Sequence, residues 1–79
     1  MPNTLEGYRT QSLYEASFLL TRGFKLAGKE RFGEKVTLIF EPDPRIDEAV
    51  LEFHNGGQAE ASKLFDVFRR LKDLIFQRA

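Results

Sequence analysis

The closing stretch of the chain, Gln58 to Ala79, repeats apolar residues at steps of three and four: Ala61, Leu64, Phe68, Leu71 and Ile75. That spacing is the period of a helix with one buried face. Phe65, Val67, Leu74 and Phe76 widen the face. At about 100° per residue these positions span roughly 200° of the cylinder, against about 100° for an ordinary surface helix. Such a helix has to be covered on two sides, and a chain of 79 residues holds little other material to cover it. The pattern predicts a partner, and it concerns association rather than chemistry.

Length and composition narrow the ways the fold can be stabilised. A single domain of this size buries only about 60–65% of the surface its unfolded chain exposes, and small domains often lean on a disulfide, a metal or an oligomer. The chain has no cysteine, which excludes disulfides and thiolate metal sites and fits a reducing compartment. Its one histidine, His54, excludes the multi-histidine zinc sets. Oligomerisation is what remains. Twelve basic residues balance twelve acidic ones, so no whole-molecule field draws the chain to nucleic acid or an anionic membrane. Met1 to Gly7 lacks the basic start and apolar run of a signal peptide, and no apolar run approaches the ~20 residues of a membrane span. The expectation is a cytoplasmic, globular protein with no metal, cofactor or membrane partner. Eight phenylalanines and two tyrosines supply a core.

Along the chain, residues 1–9 read as a flexible arm and residues 10–79 as a single α+β domain, in the order helix, β-hairpin, short helix, long helix. The first helix starts at Thr10 or Ser12. Ser12-Leu13-Tyr14-Glu15 matches the capping box, and Gly23 suits a left-handed cap at the other end. Phe24 to Glu30 and Lys35 to Glu41 read as strands joined through Arg31-Phe32-Gly33-Glu34. Val36, Leu38 and Phe40 point inward with Phe24 and Leu26, while Lys25, Lys29 and Arg31 face outward. Asp43, as cap, and Pro44, as first residue, start a helix carrying Ile46, Ala49, Val50 and Phe53 on one face, and Asn55-Gly56-Gly57 ends it. The rival reading is a third strand over Ala49 to Phe53.

Each candidate site has a plain structural explanation beside the functional one. Lys72 lies within the apolar arc of the last helix, where an ammonium must snorkel, pair with a carboxylate or hold an anion. Lys25, Lys29, Arg31 and Lys35 around Phe32 form a basic set that suits a phosphate backbone and a stacked base, though edge strands also carry lysines to resist aggregation. Arg69, Arg70 and Arg78 add charge to the last helix, with Asp66 and Asp73 at salt-bridging intervals. His54 reads as a helix-end histidine favoured by the dipole, and Glu52 beside it completes no nucleophilic set. Asp43, Asp47 and Glu48 read as helix-start chemistry rather than a cation site. Gly56-Gly57 lacks the lysine and hydroxyl of a phosphate-binding loop. No catalytic assignment follows.

Tyr8-x-Thr10, Leu13, Ala16, Leu19, Gly23-Phe24-Lys25-Leu26 and Ile39-Phe40, with the closing Phe65, Arg69-x-Leu71-Lys72 and Ile75, resemble a family of small bacterial and phage proteins of unknown function. The resemblance runs from about Tyr8 to Arg78. It implies a compact single domain encoded by a phage or other mobile element, and it assigns no catalytic or binding residue. Taken together, the residues predict a non-enzymatic module that self-associates as a homodimer, through Tyr14, Phe18, Phe65, Val67, Leu74 and Phe76. The alternative is a nucleic-acid-binding accessory protein using Lys25, Lys29, Arg31, Phe32, Lys35 and Lys72.

Overall fold

The computed structural model describes residues 7–76; the expectations placed on residues 1–6 and on Arg78 lie outside them. Six elements follow one another: β1 (Tyr8–Thr10), α1 (Leu13–Thr21), β2 (Leu26–Phe32), β3 (Lys35–Phe40), α2 (Ile46–His54) and α3 (Ala61–Phe76). The architecture is α+β, with three helices and one antiparallel sheet in the order β1-β3-β2. The slab it forms is thin, 33 × 31 × 17 Å across the Cα trace.

Strand β1 corrects the expectation of a flexible arm through residue 9. Tyr8, Arg9 and Thr10 pair with Phe40, Ile39 and Leu38, which places β3 in the centre of the sheet. Gly7 admits this approach: it holds φ +80°, and a Cβ there would lie 2.2 Å from the Phe40 carbonyl oxygen. Helix α1 begins as the capping box predicts at its serine, whose hydroxyl accepts the Glu15 N–H at 3.2 Å. The reciprocal bond is replaced: the Ser12 N–H donates to the Thr10 hydroxyl, and the Glu15 side chain is used elsewhere. At the far end Gly23 (φ +95°) closes a Schellman motif, with Phe24 N–H bonded to Leu19 C=O and Gly23 N–H to Leu20 C=O, both at 3.1 Å.

The hairpin holds a second correction. Leu26 pairs with Phe40 but Gly28 with Ile39, so Ala27 is an extra, bulged residue. From there the alternation is inverted. Lys29 and Arg31 pair with Leu38 and Val36 and lie on the inner face, where the sequence pattern placed neither. The outer face carries Arg9, Glu30, Phe32, Lys35, Thr37 and Ile39, none of them buried. Residues 49–53 are helical, as the start signals favour. The helix begins at Ile46 rather than at Pro44, because the Asp43 carboxylate takes the Arg45 N–H at 2.8 Å and closes a turn ahead of it.

The core joins Ala16, Phe18, Leu19, Phe24, Leu38, Phe40, Ile46, Ala49, Leu71 and Ile75. Helix α1 is its centre, buried without interruption from Glu15 to Leu19. Helix α3 contributes only Leu71 and Ile75 as fully buried residues, although its length and apolar content predict the larger share.

Candidate association surface

Helix α3 lies on the core along one line and leaves an apolar flank on each side of it. At about 100° per residue, Leu71 and Ile75 mark the buried line; Phe65, Phe68, Lys72 and Phe76 fall on one flank and Val67 and Leu74 on the other. On the first flank the Tyr14 ring from α1 stacks on Phe68, with centroids 5.0 Å apart and planes at 24°. Lys72 turns its ammonium over the same ring, 5.9 Å from the centroid, the snorkelling arrangement its position requires. Tyr14, Phe65 and Phe76 remain 68%, 72% and 68% exposed. The second flank forms an open trough with Leu20 and Leu26, in which Val67 and Leu74 are half-buried around Leu71.

The residues expected to associate therefore separate. Tyr14, Phe65 and Phe76 share an exposed aromatic strip. Val67 and Leu74 lie across the helix from it. Phe18 is only 2% exposed, which corrects its placement on the surface. Its ring packs on Phe53 of α2 at 5.4 Å, and Arg22 covers it at 4.6 Å.

The basic set divides as well. Lys29 donates to the Leu74 carbonyl at 2.6 Å and Arg31 to the Ile75 carbonyl at 2.5 Å. These cations satisfy carbonyls in the last turn of α3 and offset the negative end of its dipole. Lys25 and Lys35 are exposed, with Phe32 (81% exposed) beside Lys35 on the open face of the sheet. Arg9 is ion-paired with Glu30 on that face.

One polar cluster has no signal in the sequence. Glu15 is only 4% exposed, accepts the Tyr8 hydroxyl at 2.8 Å through Oε1, and lies 2.9 Å from His54 Nε2 through Oε2. One carboxylate thus ties β1 and α2 to α1. The Tyr8 phenol is pushed well above the ordinary tyrosine range, first by burial, then by its hydrogen bond to Glu15 and by the charges of Glu15 and Asp47. His54 serves this contact in addition to ending α2, and its ring meets Phe53 edge-on. Tyr8 lies on a different element from Glu15 and His54 is 39 residues away from it, so no local spacing announces the cluster.

Asp43 and Glu52 are likewise engaged within the fold. Hydrogen bonds from the Arg45 side chain and backbone hold the Asp43 carboxyl below the usual carboxylate range. Arg22 is ion-paired with Glu52. Among the described residues, every buried side-chain nitrogen or oxygen has a hydrogen-bond partner, and no three His, Asp or Glu side chains converge as a metal site. No helix of the described residues is long and apolar enough to cross a membrane.

Residues 6–77 match the family described as a domain of unknown function, DUF5659. The chain belongs to the DUF5659 family. No match is found among curated proteins or among solved structures. The DUF5659 match takes in β1 as well as the helices and hairpin, so the strand is inside the domain. Both flanks of α3 in this DUF5659 chain are inside it too.

Proposed function

We propose that this DUF5659 protein is a non-enzymatic association module that forms a twofold dimer through the aromatic strip of α3 and Tyr14. The observation that carries the reading is the exposure of three large aromatic rings on one flank of a folded copy. Such rings bury 150–250 Å² each, so Tyr14, Phe65 and Phe76 together offer about 400 Å² per copy, roughly half of the ~800 Å² that each partner brings to a standard interface. Phe68 and the Lys72 stem lie between them and extend the strip.

The strip is also self-complementary. Phe65 and Phe76 are separated by three helical turns, about 16 Å. An antiparallel pairing of two α3 helices sets Phe65 of one copy against Phe76 of the other and brings Arg69 beside Asp73 of the second copy. Such a pairing is isologous and closes at two. The two Lys72 ammonium groups then lie near the axis, where they oppose association.

Sedimentation equilibrium of the full chain tests this. The expected result is twice the monomer mass, dissociating on dilution. Phe65→Ser/Phe76→Ser is expected to be a folded monomer, and Lys72→Met to associate more tightly than the natural chain. A natural chain that remains monomeric at about 1 mM overturns the reading.

Cytoplasmic location fits the same reading, since a chain without cysteine gains nothing from an oxidising compartment. The engagement of the buried polar groups with one another favours a binding module over an enzyme. Nucleic-acid contact has less support. Phe32 and Lys35 suit it, but Lys29 and Arg31 are held at the end of α3 and Lys72 lies over Phe68 on a different surface.

A further inference from the structure

The trough on the second flank of α3 is separate from the aromatic strip. Its floor is aliphatic: Leu20 of α1, Leu26 of β2, and Val67, Leu71 and Leu74 of α3. It is an open groove of about 350 Å³ that continues past Gly23, sharing Leu20, Val67 and Arg70 with the adjoining groove. Three charged residues of α3 lie along the two grooves: Arg70 lines both, and Lys63 and Asp66 line the adjoining one. Lys63 and Arg70 are two turns apart, about 10 Å along the helix, with Asp66 between them. Among the described residues, neither Lys63 nor Arg70 makes an ion pair or a side-chain hydrogen bond, in contrast to Arg9, Arg22, Arg45 and Lys29. Arg70 beside the aliphatic floor and Lys63 in the groove that continues it are thus not used by the fold.

We propose that this trough, together with the groove that continues it, is the docking site for an amphipathic helix of another protein. That helix carries aliphatic side chains on the face that enters the trough and two carboxylates about seven residues apart, one for Lys63 and one for Arg70. The positive–negative–positive order of Lys63, Asp66 and Arg70 selects the opposite order in the guest, with a basic or neutral residue opposite Asp66. The occupant is identified by charge complementarity and by the half-burial of Leu20, Leu26, Val67 and Leu74.

The test uses the full chain, labelled with nitrogen-15, and a synthetic helical peptide of about 14 residues with leucines at three- and four-residue steps and two glutamates seven apart. The expected result is saturable shifts of the Leu20, Leu26, Val67 and Leu74 amides that weaken with salt. Lys63→Glu/Arg70→Glu is expected to lose about tenfold in affinity and to gain affinity for the same peptide with lysines in place of its glutamates. Repeating the titration on Phe65→Ser/Phe76→Ser separates this proposal from the dimer, because the trough remains intact when the strip is disabled. Equal binding of the acidic and basic peptides overturns the proposal, as does the absence of shifts. Shifts at the same amides on concentrating the chain without peptide also overturn it, by assigning the trough to a second copy.

Discussion

Glu15 is a buried carboxylate with partners on two other elements, and removing it leaves both a phenol and an imidazole to find others. Glu15→Ala is expected to cost about 2–3 kcal/mol of unfolding free energy by urea denaturation, because hydrogen bonds to a charged group are worth more than neutral ones. His54→Ala should cost less, since its side chain is 63% exposed and water can replace it at the carboxylate. Tyr8 gives the cluster an alkaline limit. Its phenol has a folded pKa above the unfolded one, so the fold favours the protonated form. That contribution is complete below about pH 10 and drains as the pH rises from there toward the folded value. Stability measured between pH 9 and about 11.5 should therefore fall more steeply in the natural chain than in Tyr8→Phe. Equal slopes would remove Tyr8 as the cause.

At the scale of elements, the Ala27 bulge decides what the hairpin does with its charge. It turns Lys29 and Arg31 toward α3, where they bond Leu74 and Ile75 carbonyls. Lys29→Met/Arg31→Met is expected to lose about 1–2 kcal/mol and to speed amide hydrogen exchange in the last turn of α3. Lys35→Met, on the open face, should change stability by no more than about 0.5 kcal/mol. The helices were legible in the sequence because each carries a period, and two carry end signals besides: Ser12 and Gly23 for α1, Gly56 for α2. The hairpin was legible from Gly33 and the alternation of Val36, Leu38 and Phe40. The bulge was not, because a single alanine between Leu26 and Gly28 has no distinguishing chemistry and one extra residue reverses every side chain beyond it. Strand β1 was not legible either, since three residues define no pattern and their partner lies on β3. The candidate surface was half legible. Exposed Phe65 and Phe76 follow from the excess width of the apolar arc, but Phe18 could be placed in the core only once α2 was known to lie over it.

The whole molecule is one layer of helices on one thin sheet, and α3 receives cover from the core along a single line. If the aromatic strip closes a dimer, the thermal midpoint of the natural chain should rise with protein concentration, while that of Phe65→Ser/Phe76→Ser stays constant. A midpoint that does not move with concentration in the natural chain would mean that the rings stay in water. The position of β3 in the middle of the sheet bears on how the chain assembles. Tyr8 leaves the ribosome before its partner strand, which is completed at Phe40, and the imidazole that joins it on Glu15 arrives later still. The hairpin and α1 can gather around local contacts during synthesis, whereas the opening strand must wait and then thread its backbone bonds onto an edge already built, closing a long loop as it does so.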